Sequence, residues 1–218
     1  MKDTHLPPSL PSTTDTENAT PADKIANGIL RLLGEVPSSS ETTSLAPQQR
    51  VQSIVNRAAM KAATAAGMLS LPPGPLAWLT IVPEMIGVWK IQSQMVADIA
   101  AVHGKTGKLS RESMLYCLFR HTAAQAMRDL VARVGERFLV RRASLRTVQK
   151  VASRIGVKIT QDAIKKSVAR WVPLAGAAAV GLYAYKDTKK VAKTALEFFG
   201  CEVEEQEEET QPGPPALP

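Results

Sequence analysis

The chain has 218 residues, with 27 Lys and Arg against 20 Asp and Glu, a net charge of +7, 44% apolar residues and two cysteines. That apolar share excludes a wholly disordered chain, and the length suits one domain with tails. Two cysteines 84 residues apart exclude a disulfide framework and a local metal knuckle.

The charge is unevenly distributed. Residues 1–43 sum to −3, residues 44–200 to +16 and residues 201–218 to −6. Residues 1–48 read as a disordered tail, because 6–22 and 37–48 are rich in Pro, Ser and Thr and bury too little apolar surface to offset the entropy of ordering. Within that tail, 22–34 is a short amphipathic helix with Ile25, Ile29, Leu32 and Leu33 on one face, suited to its own domain or to a partner. The first 23 residues lack the apolar core of a secretory signal, so the expectation is a cytoplasmic protein with reduced thiols.

Residues 49–200 read as helices. The first runs over 49–69 with a small-residue face from Val51 to Ala66, and ends at Pro72, Pro73, Gly74 and Pro75. The next is expected to start near Pro83, in a first turn, and to run to Val102 with Met85, Val88, Trp89, Met95, Val96 and Ile99 inward and Gly104 as its cap. Ser110 caps a helix expected to continue from Arg111 to about Val140. A helix over 144–155 is expected to stop at Gly156, and Thr160 to cap another over 161–171. The last runs over 174–199. No period-2 run supports a sheet, so the expected fold is all-α: a compact multi-helix bundle between disordered tails, the acidic, Pro-rich 201–218 being the second.

Two stretches lack charge, 62–83 and 171–185. The first is long enough to span a bilayer but is broken by three prolines and a glycine, and the second is too short, so buried or interfacial hairpins are expected. Trp78, Trp89 and Trp171 flank or lie in these runs, where apolar meets polar. Residues 120–170 carry 13 Lys and Arg against three acids. The expected membrane or anion contacts are Arg133, Arg137, Arg141, Arg142, Arg146, Lys150, Arg154, Lys165, Lys166 and Arg170, with Trp78 and Trp171. Nucleic acid is the disfavoured polyanion, since stacking aromatics are scarce there and no zinc-finger or RNP pattern occurs.

Signals for catalysis are weak, and neither a metal nor a cofactor is expected. His5, His103 and His121 lack the i, i+4 spacing of a helical metal pair, and His121 reads as structural or surface-exposed. Cys117 reads as a core thiol. Residues 104–108, GKTGK, lack the glycine five residues upstream that a phosphate loop requires, and read as a glycine-capped turn. Glu84, Gln92, Asp98, Arg128, Asp129 and Asp187 form a candidate buried polar cluster, in which Arg128, Arg133 and Arg137 are the basic partners on offer.

Residues 71–105, LPPGPLAWLTIVPEMIGVWKIQSQMVADIAAVHGK, and 171–188, WVPLAGAAAVGLYAYKDT, resemble the bacterial EcsC family in a Pro/Gly segment leading to a Gln-containing helix and in a small-residue C-terminal helix. The resemblance covers about 50–200 and brings no catalytic motif. It implies a membrane-associated accessory role. The expected function is therefore a non-enzymatic protein docking on the inner membrane face. The alternatives are a soluble protein-interaction adaptor or an enzyme on a lipid or nucleotide, the latter requiring Glu84, Asp98 or Asp129 to converge with His103 or His121.

Overall fold

Thr20 sets the first helix, α1 (Pro21–Gly34). Its hydroxyl accepts from the Asp23 amide at 3.2 Å while the Asp23 carboxylate accepts from the Thr20 amide at 3.1 Å, and Pro21 needs no partner in the first turn. The structure is a computed structural model that describes residues 19–69, 77–128, 144–166 and 173–200. The side chains of 68–69, 77–82, 84, 163–166 and 173–177 are outside that description. Both expected tails' outer portions, 1–18 and 201–218, also lie outside the described residues.

All regular elements among the described residues are helical, as the apolar periodicity predicts. After α1 come α2 (Pro47–Leu69), α3 (Ala77–Val102), a 3₁₀ turn (Thr106–Lys108), α4 (Arg111–Phe119), α5 (Leu145–Lys166) and α6 (Pro173–Phe199). The largest helix–helix interfaces join α2 to α6 and α1 to α5. The main core gathers Ile29 and Leu33 of α1, Met95 and Ile99 of α3, Leu115 and Phe119 of α4, Ile155 of α5 and Phe199 of α6. Thus α1 spends its apolar face on its own domain.

The 35–46 stretch differs from the expected disordered tail. Ser39 Oγ donates to Asp98 at 2.7 Å, Gln94 donates to the Ser38 carbonyl at 3.0 Å, and the Ser44 amide donates to the Val102 carbonyl at 3.1 Å. These bonds lay the segment along α3 as a strap, and the polar side chains that look tail-like supply its attachment. Glu41 then takes a two-pronged contact from Arg50 of α2, at 2.7 and 2.8 Å.

Three helix boundaries also depart from expectation. Pro83 lies inside α3, six residues past its start, on an exposed position where the chain continues through the missing amide. The helix after Ser110 breaks at Arg120 instead of running to Val140; residues 120–123 form a turn before a helix resumes at Ala124, and 129–143 lie outside the described residues. Gly156 does not stop a helix, since α5 runs through it from Leu145 to Lys166, and Thr160 donates back to the Gly156 carbonyl at 2.9 Å instead of capping. A Cβ on Gly156 would collide with the Ala22 carbonyl oxygen, so this glycine is where the backbone of α1 crosses α5.

Gly104 closes α3 as expected. Its φ is +66°, its amide donates to the Ala101 carbonyl at 2.9 Å, and the Lys105 amide donates to Ala100 at 2.8 Å. The GKTGK stretch is that cap followed by the 3₁₀ turn. Trp89 points inward, as its helical position predicts: it is 7% exposed and meets Phe119 edge-on at 5.1 Å, so its place beside a charge-free run does not make it an interfacial ring.

The C-terminal half of α2 packs against the N-terminal halves of α3 and α6. Ala62, Ala66 and Ala184 form a second apolar cluster there with Val88, Ile91 and Val180. A Cβ on Gly181 would stand 3.0 Å from the Ala63 carbonyl oxygen, so small residues set a close crossing. This end of the bundle carries the described parts of the charge-free stretches, and Leu182 and Tyr183 stand outward from it, 54% and 58% exposed. No helix of the described residues is long and apolar enough to cross a membrane.

Candidate functional site

The turn after α4 is held on both sides. Phe119, Ala123 and Met127 are buried in the core, and the amides of Thr122 and Ala123 both donate to the Phe119 carbonyl, at 3.1 and 2.8 Å. Arg120 reaches outward to Glu197 of α6 at 2.6 Å and lies over the Tyr116 ring, 5.3 Å from its centroid. His121, next in the turn, is thereby aimed at the middle of α6.

There its Nε2 lies 2.7 Å from Asp187 Oδ1. The other carboxylate oxygen, Oδ2, accepts from Gln92 Nε2 of α3 at 2.9 Å. Gln92 is 0% exposed and also donates to Thr188 Oγ1 at 3.2 Å, whose hydroxyl donates to the Ala184 carbonyl at 2.8 Å. Three elements thus meet in one polar network inside an apolar bundle. The carboxylate faces Nε2, which places the ring proton there. His121 Nδ1 and Gln92 Oε1 are buried with no hydrogen-bond partner among the described residues.

The expected polar cluster is only partly assembled. Gln92 and Asp187 meet, but the side chain that joins them is His121 and not an arginine. Asp98 lies elsewhere, holding Ser39 and Gln94. Arg128 stands on the exposed side of the resumed helix. Asp129 and the side chain of Glu84 lie outside the described residues. The sequence reading missed Thr188 and the pairing of His121. The only hint was a small polar residue following an acid within an apolar helix.

Chemically, the His121–Asp187 pair resembles the orienting half of a hydrolytic triad. No hydroxyl or thiol among the described residues bonds its free nitrogen. The thiol one turn earlier, Cys117, is fully buried, and burial pushes its pKa up to about 12, so it stays protonated. No group of three His, Cys, Asp or Glu that could hold a metal occurs among the described residues. Asp98 accepts from Ser39 of the strap and from Gln94.

Beside His121 opens a cleft of about 460 Å³. One wall is the turn and resumed helix, with Thr122, Gln125 and Arg128; the other is α5, with Arg154 and Lys158. On α5 the residues Val148, Val151, Ala152 and Ile155 are buried, so Arg146, Lys150, Arg154 and Lys158 fall in one exposed row at i, i+4 intervals. That row spans about 18 Å at the helical rise. Lys158 is paired with Asp162 at 3.0 Å. Of the other expected contacts, the side chains of Lys165, Lys166 and Trp78 lie outside the described residues, as do Arg133, Arg137, Arg141, Arg142, Arg170 and Trp171 altogether. A second, shallow apolar groove of about 650 Å³ runs between α2 and α6, lined by Ala63, Gly67, Gly181 and Leu182.

No family model, curated protein or solved structure matches this chain.

Proposed function

We propose that the chain is a non-enzymatic accessory protein that docks peripherally on the cytoplasmic, anionic face of a membrane, in keeping with its resemblance to the EcsC family. The observation that carries this reading is the exposed row Arg146–Lys150–Arg154–Lys158 on a chain that also carries two charge-free stretches, 62–83 and 171–185. Each Lys or Arg near an anionic surface contributes about 1 kcal/mol, and the attraction falls off within about a Debye length. The outward Leu182 and Tyr183 at the charge-free end supply shallow apolar contact. Lys166 and Pro173 are separated by six residues, so the C-terminal end of α5 lies within about 25 Å of that end of the bundle. A basic helix and outward apolar side chains on one bundle are the two elements that peripheral docking uses.

Flotation of the full chain with liposomes tests this. Binding to vesicles containing an anionic lipid, absence of binding to neutral vesicles, and release by high salt are expected. Arg146→Gln/Lys150→Gln should weaken flotation, and Leu182→Ser/Tyr183→Ser should make it release at lower salt. Equal recovery with neutral and anionic vesicles, or none with either at low salt, removes the reading.

A further inference from the structure

The shallow groove between α2 and α6 runs on, past its apolar part, into a row of lysines. On α6 the lining residues Ala178, Leu182 and Tyr185 are followed at helical spacing by Lys189 and Lys193, with Lys186 one turn beyond Leu182. Lys189 Nζ lies 5.3 Å from the centroid of the Tyr185 ring, so the first ammonium stands at the edge of the apolar part. On α2 the exposed Met60, one turn before Thr64, extends the other wall. None of the three lysines forms an ion pair among the described residues. The acids of α6 are engaged elsewhere, Asp187 by His121 and Gln92 and Glu197 by Arg120, and α2 carries no acid. This face therefore has two parts in sequence: an apolar groove of about 650 Å³ with a tyrosine at its end, then a cationic row.

We propose that the occupant of this face is the chain's own C-terminal segment, 201–218, folded back along α6. Its composition has the same two parts in matching order. Six glutamates fall between Glu202 and Glu209, and the run 212–218, PGPPALP, follows with no charged side chain. The segment leaves the end of the very helix on which the lysines stand. Lys193 and Lys186 lie about 10 and 21 Å back from Gly200 along that helix, at its rise per residue. Residues 201–209 reach about 30 Å when extended, which covers both. The glutamates thus meet the lysines, and 212–218 comes level with Tyr185, Leu182 and Gly181. Proline-rich segments suit apolar grooves with an aromatic ring because they lose little entropy on docking. Tethering favours the contact further, since it replaces a bimolecular encounter with an intramolecular one. A second copy of the same face is the poorer occupant, because it would set one lysine row against another. The docking itself is independent of the membrane reading. Its regulatory consequence rests on that reading: Leu182 and the three lysines stay covered until an anionic surface displaces the segment.

The test uses the full chain, first without lipid. A carbodiimide joins carboxylates to amines in contact, and the products are located by mass spectrometry on the isolated monomer. Amides between the glutamates of 202–209 and Lys186, Lys189 or Lys193 are expected. In Lys189→Gln/Lys193→Gln the yield at Lys186 should fall about threefold, because two exposed pairs are lost. A nitroxide on Pro218→Cys, in a Cys201→Ser background, should broaden the amide signals of Gly181 and Leu182 more than those of Lys150 and Arg154. Cys117 is buried and takes no label. Amides formed mainly with Lys150 and Lys158, amides found only in a cross-linked dimer, or no amides at all overturn the proposal, as does broadening that is uniform or strongest on α5. Vesicles are then added. Anionic vesicles should lower the amide yield at Lys186, Lys189 and Lys193 at least about threefold, and neutral vesicles should leave it unchanged. A yield unaltered by vesicles on which the chain floats removes the regulatory consequence. Expected amides without flotation fail the membrane reading alone, and flotation without those amides fails the docking alone.

Discussion

His121 and Asp187, 66 residues apart in the chain, meet at 2.7 Å and tie the turn after α4 to the middle of α6. Their side chains are only 16% and 17% exposed, so neither is well solvated if the other is removed. The carboxylate is also the main acceptor for the buried Gln92 amide. Asp187→Ala should therefore lower stability by about 2–3 kcal/mol, and His121→Ala by less, because Gln92 keeps its carboxylate in the second case. A double-mutant cycle on urea denaturation should show coupling of about 1 kcal/mol or more between the two. Additive losses would mean that the contact contributes nothing in solution.

Gly156→Ala should destabilise despite raising helix propensity. The added methyl meets the Ala22 carbonyl and stands 3.3 Å from the Ala26 amide nitrogen, and both are backbone atoms that yield only if α1 moves. Overpacking of about 1–3 kcal/mol outweighs the gain of about 1 kcal/mol expected of alanine over glycine. Gly87→Ala is the matched control. It lies within α3, nothing stands within 4 Å of its added carbon, and it should stabilise by about 0.5–1 kcal/mol. Chemical-denaturation midpoints for the two variants should move in opposite directions.

Cys117 should be unreactive in the folded protein. Its thiol is buried against the apolar interior of α4, and desolvation holds it protonated far above neutral pH. In a Cys201→Ser background, labelling by a thiol-specific disulfide reagent at pH 8 should follow the global unfolding rate and accelerate with urea. Rapid stoichiometric labelling under native conditions would place Cys117 at the surface.

Acid should loosen the strap through Glu41. The hydrogen bond from Arg50 holds its carboxyl below the ordinary glutamate value, against a smaller opposing effect of burial, with the charges of Arg50 and Arg57 adding to the depression. A depressed carboxyl contributes stability that is present above its unfolded pKa and is lost as pH falls through the folded one. The wild-type melting temperature should drop across that acidic window more steeply than that of Glu41→Gln. Near neutral pH the variant should melt slightly lower. Parallel acid limbs would show that the pair does not form.

The helices themselves were legible because each buries one face. Ile25, Ile29, Leu32 and Leu33 repeat at helical spacing and are all buried in α1. What the pattern could not convey was which distant group meets a given residue. A glycine that stops a helix and one that admits a crossing backbone look alike, and Gly156 is decided by Ala22, 134 residues earlier. Ser38, Ser39 and Ser44 look like tail residues until Gln94, Asp98 and Val102 are placed beside them. The break at Arg120 was hidden because apolar residues continue beyond it, while the contacts of Arg120 and His121 lie on α6. Half of the polar network, Gln92 and Asp187, could be nominated as buried polar groups in apolar helices, but the histidine that completes it carried no local signal.

The pairing of α1 with α5 and of α2 with α6 has a consequence for synthesis. The close approaches Ala22–Gly156 and Ala63–Gly181 join residues 134 and 118 positions apart. At translation speeds of about 5–20 residues per second, the first two helices emerge between about 6 and 27 s before the surfaces that cover them. During that interval Ile25, Ile29, Leu32 and Leu33 and the alanine face of α2 are exposed on the nascent chain. The N-terminal third of this protein therefore emerges well before the helices that complete its burial, α5 for the first helix and α6 for the second.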